Sequence, residues 1–159
     1  MRIGIGYDIH RFEAGRALIL GGVMFEGETG LAGHSDADVL LHAIIDALLG
    51  AAGAGDIGTH FPADDAKWKD AGSLALAHET LALLRERGLA VDYVDATVIA
   101  ERPKLAARVT EMKWAIADGL GIAPQRINVK ATTNEGLGAI GRGEGIGCIA
   151  VATVVPVAT

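Results

Sequence analysis

The chain opens on an apolar run, MRIGIGYDIHRF, into which only a few polar residues are set, and it predicts a strand over residues 2–10. A shorter strand, ALILGGVM over 17–24, carries a Gly-Gly break. The period then lengthens. In SDADVLLHAIIDALLGAAG, Leu40, Leu41, Ile44, Ile45, Leu48 and Leu49 fall along one helical flank, with Ser35 or Asp36 as the N-cap and glycine at the end. A second helix is predicted from Ser73 to Arg87, stopping at Gly88, and VDYVDATVIA follows as a strand. A third helix runs over 105–120 and ends near Gly121 and Pro124. RINVKAT and EGIGCIAVATVV close the chain as two strands, joined too tightly for a helical crossover, so the sheet is mixed. The expected fold is α+β, an α/β sandwich: a mixed four-stranded sheet with helices packed on one face, plus a short N-terminal hairpin. No linker, repeat or charge block divides residues 1–159, which are expected to form one domain.

Composition narrows the function. A net charge of -6 and only 4% aromatic residues argue against nucleic acid as a partner. The longest apolar stretch, CIAVATVVPV, is about half of what spans a bilayer and is interrupted by Pro156, so no membrane partner is expected. The single Cys148 has no internal partner and the N-terminus lacks a secretory pattern, which points to the cytoplasm. So apolar a chain, rich in Ala and Gly, is expected to hide further surface in an oligomer.

Asp8 and His10, two apart on a strand, share one face at about 6–7 Å. Zinc accepts both residue types but needs a third ligand. Asp38, His42 and Asp46 are spaced by four and form a polar stripe expected to point away from the core. A helix crossing the first strand would bring His42 to Asp8 and His10; two His and one Asp leave zinc an open fourth position, as in catalytic sites. A capped strand end and a solvated helix face are the ordinary alternatives.

Four further segments carry candidate chemistry. His34 and Ser35, in GHSDAD, precede the helix where free N–H groups attract anions, although N-capping by Ser35 is the simpler role. GAGDIGTHFP matches G-x-G-x-x-G at Gly53, Gly55 and Gly58, but it follows a helix and is expected to open none, so it is no dinucleotide fingerprint. It exposes Asp56, a carboxylate suited to sugar hydroxyls or to an ordinary turn. In AERPKLA, Lys104 stands before a predicted helix start, a poor place for a cation unless it meets an anion. In VKATTNEGLGAIGRGEGIG, Thr132, Thr133 and Arg142 suit phosphate and Glu135 a bridging cation; a glycine-rich hairpin is the alternative.

Taken in order, DIH at 8–10, HSDAD at 34–38, LLHAIIDALLGAAGAGDIG, FP at 61, RPK at 102, VKATTNEGLG and GRGEG make the chain resemble the 2-C-methyl-D-erythritol 2,4-cyclodiphosphate synthase family of the non-mevalonate isoprenoid pathway, over essentially its full length. The resemblance implies a lyase that is a homotrimer with active sites between subunits. It implies Zn2+ on Asp8, His10 and His42, and a second divalent cation, Mg2+ or Mn2+, on Glu135. The implied cytidylyl substrate is 4-diphosphocytidyl-2-C-methyl-D-erythritol 2-phosphate, whose 2-phosphate attacks its own β-phosphorus and expels CMP. His34 and Thr133 would be transition-state stabilisers.

Substrate contacts follow from the same resemblance. Asp8, Ile9 and His10, with His34 and Ser35, would be substrate contacts beside the metal. Asp56 and Gly58 would hold the ribose, with Ile57 between them a substrate contact, and Phe61, Pro62, Ala63, Asp64 and Asp65 would line the methylerythritol end. The cytidine pocket would comprise Ala100, Glu101, Arg102, Pro103, Lys104, Leu105 and Ala106 with Thr132, and Thr133, Asn134, Glu135 and Ala139 would be further substrate contacts. Arg142 would lie near the phosphates and the trimer axis. Ala139 departs from the family, which carries Phe there, and Asn134 and Gly136 replace residues that are often larger. Some relatives are fused to the preceding cytidylyltransferase; no such domain is expected here. Two other readings share the candidate residues: a zinc phosphohydrolase, and a non-catalytic nucleotide-binding trimer with structural zinc.

Overall fold

A computed structural model describes residues 1–68 and 71–157. In strand β1 (Arg2–Arg11), Ile3, Ile5, Tyr7 and Ile9 stand exposed on one side of the sheet, so the pleat turns Gly4, Gly6, Asp8 and His10 to the other. The glycines permit a close approach. A Cβ on Gly6 would lie 2.0 Å from the Ala43 carbonyl oxygen, and one on Gly4 2.1 Å from that of Ala47. The predicted second strand is a hairpin, β2 (Leu18–Leu20) and β3 (Val23–Phe25), folded about Gly21 and Gly22, both at positive φ.

Helix α1 (Val39–Ala52) lies directly on the β1 backbone, and all six residues of its predicted apolar flank are wholly buried. Its other sides are buried too, except along the half-buried His42 and Asp46 and the exposed Gly50. It is sandwiched between the sheet and α3 (Ser73–Glu86), after a one-turn α2 (Ile57–His60). Two expectations fail at its start. The N-cap is Asp38, whose carboxylate accepts from Leu41 N at 3.1 Å, and neither Ser35 nor Asp36 caps the helix. Nor does Asp38 point outward: it is fully buried and accepts from Gly21 N at 2.9 Å and Gly22 N at 2.7 Å. Burial pushes its carboxyl up to about 6, while these backbone bonds act in the opposite direction. The hairpin turn and the helix start are thus tied through one side chain.

Strand β4 (Leu89–Ile99) leads through a 3-10 turn to α4 (Val109–Leu120), which begins four residues later than predicted. Strand β5 (Ile127–Thr132), a one-turn α5 (Gly138–Gly141) and β6 (Gly145–Pro156) complete the chain. The sheet order is β1-β6-β4-β5, antiparallel except for the β4–β5 pair, with the helices on one face. The expected α+β sandwich with a mixed four-stranded sheet is the observed architecture. One row of paired residues runs Asp8, Cys148, Val98, Ala131 across all four strands. Among the described residues no helix is long and apolar enough to cross a membrane.

Candidate active site

The contact of β1 with α1 sets the site. The two run in opposite directions, so a step of two along the strand, about 6.6 Å, is matched by a step of four back along the helix, about 6 Å. Gly4 lies over Ala47 and Ala51, and Gly6 over Ala43 and Ala47; continuing the series carries Asp8 to the first turn of α1, beside His42. Asp8 Oδ2 lies 2.8 Å from His10 Nε2 and 3.1 Å from His42 Nδ1, and the two imidazole nitrogens are 3.2 Å apart. The side chains are only 24, 19 and 12% exposed for Asp8, His10 and His42.

A neighbouring loop prepares His10. Ala32 N donates to the Arg11 carbonyl at 2.9 Å, and the Ala32 carbonyl in turn lies 2.6 Å from His10 Nδ1. That bond places the ring proton on Nδ1 and turns the Nε2 lone pair inward. Arg16 clamps the same loop, donating to the carbonyls of Gly33, at 2.9 Å, and Ser35. The donor set fits a tetrahedral metal. Ligands about 2.0 Å from zinc stand about 3.3 Å from one another, close to the observed spacings. Among the described residues this is the group that could hold an ion.

Burial works to raise the Asp8 carboxyl, but hydrogen bonds and charge from His10 and His42 prevail and hold it well below the usual carboxylate range. Burial works to lower His10, yet its bond to Asp8 and that carboxylate's charge lift it above its ordinary 6.5. The depressed Asp8 value adds stability that is fully present above 3.8 and is lost as pH falls below 3.8 through the depressed folded value. The raised His10 value adds stability that is fully present below 6.5 and is lost as pH rises above 6.5 through the raised folded value. In chelator-treated protein, the stability difference between wild type and Asp8→Asn is therefore expected to be widest between these two values and to narrow on both sides. Denaturant titrations across pH measure it; a difference independent of pH would contradict the pairing.

Beside the triad lies a cavity of about 280 Å³, whose lining includes His34, Ser35, Ile57, Gly58, Phe61 and Ala63. Trp68, stacked edge-on to Phe61 at 4.9 Å, and Leu76 also line it, and neither is among the candidates drawn from the sequence. Pro62, Asp64 and Asp65 sit in the turn beside this wall. Asp46 Oδ1 accepts from Ile57 N at 2.7 Å and so ties α2 to α1. Contrary to expectation, GAGDIG does open a helix, the single turn α2. Asp56 caps it, accepting from Thr59 N and Oγ1, both at 2.8 Å. Nor are His34 and Ser35 at the start of α1, which begins at Val39; Ser35 Oγ instead accepts from Ala37 N and meets His42 Nε2 at 3.1 Å.

The remaining candidates gather elsewhere. Ala100 N donates to the Thr132 carbonyl at 2.9 Å, and Glu101 accepts from Asn134 N at 2.8 Å, which joins residues 100–106 and 132–135 into one patch. Thr133 Oγ1 donates to Glu135 at 3.1 Å. Lys104 is exposed, but α4 begins only at Val109, so the helix-start argument for an anion there fails. Ala139 lines a separate cavity with Ile9, and Arg142 Nε donates to Glu144 at 2.6 Å. Thr132 and Thr133 follow the row of Asp8 but stand on the opposite edge of the sheet. Three strand spacings, about 14 Å, separate them from the triad.

The match to known proteins accords with this arrangement. The model of the YgbB family matches residues 1–155. The chain belongs to that family. Among its relatives, the 2-C-methyl-D-erythritol 2,4-cyclodiphosphate synthase of Salinibacter ruber is 56% identical over 154 residues, 97% of this chain and 98% of that protein. A bifunctional enzyme IspD/IspF of Anaeromyxobacter dehalogenans is 57% identical over 152 residues, 96% of this chain, which spans only 39% of that longer protein. The solved IspF of Plasmodium falciparum, a CDP complex, superposes with a TM-score of 0.86 at 34% identity, covering 99% of this chain and 97% of that one. Family members therefore occur both alone and as part of a two-enzyme chain.

Proposed function

We propose that this chain converts 4-diphosphocytidyl-2-C-methyl-D-erythritol 2-phosphate into 2-C-methyl-D-erythritol 2,4-cyclodiphosphate and CMP, a cyclising lyase step of isoprenoid precursor synthesis. The observation that carries the reading is the convergence of Asp8, His10 and His42 beside a cavity, in a chain whose family relatives bear that enzyme's name. An oxygen of the 2-phosphate bonds to the β-phosphorus. The bond from that phosphorus to the oxygen bridging the two phosphates breaks, and CMP leaves with the oxygen and its electron pair. No protein nucleophile is required. The chain's task is to fold the substrate back on itself and hold attacking and leaving oxygens in line.

Zinc, held by Asp8, His10 and His42, would supply Lewis-acid neutralisation of phosphate charge. A second divalent ion, Mg2+ or Mn2+, would take Glu135 and complete its shell from substrate phosphates and water. His34, on the cavity wall, and Thr133 would offset the charge that develops on phosphorus. Asp56 and Gly58 would hold the ribose, and the patch of residues 100–106 with Thr132 the cytosine. Within one chain that patch and the triad occupy opposite edges of the sheet, which favours a homotrimer whose adjacent subunits complete each site. The exposed Ile3, Ile5, Tyr7 and Ile149 on the open sheet face support such an interface. A cytoplasmic setting accords with the buried, unpaired Cys148.

Incubation with the cytidylyl substrate, followed by phosphorus NMR, tests the assignment. Stoichiometric CMP and a cyclic diphosphate are expected. Linear phosphate products would replace it with a hydrolase, and no turnover of any kind would favour a nucleotide-binding trimer.

A further inference from the structure

The third ligand, His42, has a second ring nitrogen, and what holds it is a side chain the sequence marks only as a helix start. Ser73, the first residue of α3, is wholly buried, and its Oγ lies 3.0 Å from His42 Nε2. The hydroxyl has one proton, and it is committed elsewhere: Ser73 Oγ donates to Asp36 Oδ1. Asp36 is itself held, since its carboxylate also accepts from Ser73 N at 2.8 Å and from Asp38 N at 3.2 Å. A carboxylate offers only acceptors. The direction of the chain of bonds is therefore settled, and Ser73 Oγ meets His42 as an acceptor.

The geometry points to Ser73, anchored by Asp36, as a positioning residue that draws the His42 ring proton to Nε2 and so frees the Nδ1 lone pair for a metal held in the Asp8–His10 corner. Ser35 Oγ also lies near His42 Nε2, at 3.1 Å, but it carries a rotatable proton and accepts from Ala37 N, so it does not by itself choose between the tautomers. The arrangement mirrors His10, where the Ala32 carbonyl takes the proton of the nitrogen that faces away from the corner. Each imidazole is thus oriented by an acceptor on its outer side, as metal-ligating histidines require. The two anchors differ in kind. Ala32 belongs to the loop beside β1, whereas Asp36 and Ser73 join the segment before α1 to the start of α3, so the docking of α3 reports directly on the ligand geometry.

This inference rests on the reading of Asp8, His10 and His42 as metal ligands, and two measurements keep the two apart. In zinc-free full-length protein at about pH 8, where an ordinary imidazole is neutral, the Asp8 carboxylate competes for the ring proton at Nδ1, and nitrogen-15 NMR of the histidine rings is expected to show a clearly larger Nε2–H share for His42 in the wild type than in Ser73→Ala. In chelator competition, Ser73→Ala is expected to weaken zinc binding by about 10–100-fold. Asp36→Asn should weaken it in the same direction, and the double variant no further than the stronger single one, because both act through one bond chain. A Ser73→Ala variant that keeps both the wild-type zinc affinity and the wild-type balance of His42 tautomers would overturn the assignment. A wild type that binds no zinc would sink the metal reading, and the tautomer measurement would still decide the role of Ser73.

Discussion

Replacing His42 with alanine is expected to slow CMP release by about a thousandfold while the fold survives. The ring supplies one of the three converging donors, with Nδ1 3.1 Å from Asp8 and 3.2 Å from His10. Two ligands do not hold a zinc ion against water and chelators, and Lewis-acid stabilisation of phosphoryl transfer is worth several kcal/mol. A loss of about 4 kcal/mol corresponds to the thousandfold effect. The fold survives because the ring borders an open cavity, and its removal leaves Ser35, Ser73 and Asp8 within reach of water. Steady-state kinetics, alongside circular dichroism of the same preparation, separate the two effects. Turnover within about tenfold of wild type would refute the assignment of His42, and chelated wild type should fall to the same residual rate as the variant.

The second large effect is structural. Gly6→Ala is expected to destabilise the chain by about 3 kcal/mol or more, or to prevent soluble expression. The added methyl would meet backbone, with Ala43 O at 2.0 Å and Ala47 N at 2.7 Å, and neither can rotate out of the way. Helix α1 would have to lift off β1, losing core contacts along its buried side and drawing His42 away from Asp8. Gly50→Ala is the control. Gly50 lies in the same helix, and a methyl on it would stand 3.9 Å from the Ile5 carbonyl oxygen, so alanine there is expected to stabilise by about 0.5–1 kcal/mol. Urea titrations compare the two. Equal effects would mean that α1 does not ride on the strand backbone.

Much of this is legible in the spacing of residues alone. The strand bearing Asp8 and His10 and the apolar helix carrying His42 follow from periodicity, and the mixed sheet from the short connection between the last two strands; both signals are written locally along the chain. The same holds for the pairing of His42 with the strand residues, since a helix crossing one strand has few ways to place a side chain four positions into its first turns. Asp38 departs from its expected place for a reason equally physical. Its spacing from His42 matches a solvated stripe, and nothing local reveals that Gly21 and Gly22 bring two backbone donors to it from a hairpin 16 and 17 residues away. The single-turn α2 and α5 are too short for any period to register.

Element types, the residue chemistry of the metal corner and the family of the chain are all carried by contiguous blocks whose side chains act through local spacing, so the order of residues suffices for them. Folding in three dimensions was needed to set Ser73 and Asp36 behind His42, to set Arg16 and Ala32 behind His10, and to put Thr132 to Glu135 on the far edge of the sheet. Those relations join residues more than a dozen positions apart or depend on how such residues close around them. Their energies depend on desolvation and on which partner a buried group finds, and both are set only once the helices close over the sheet.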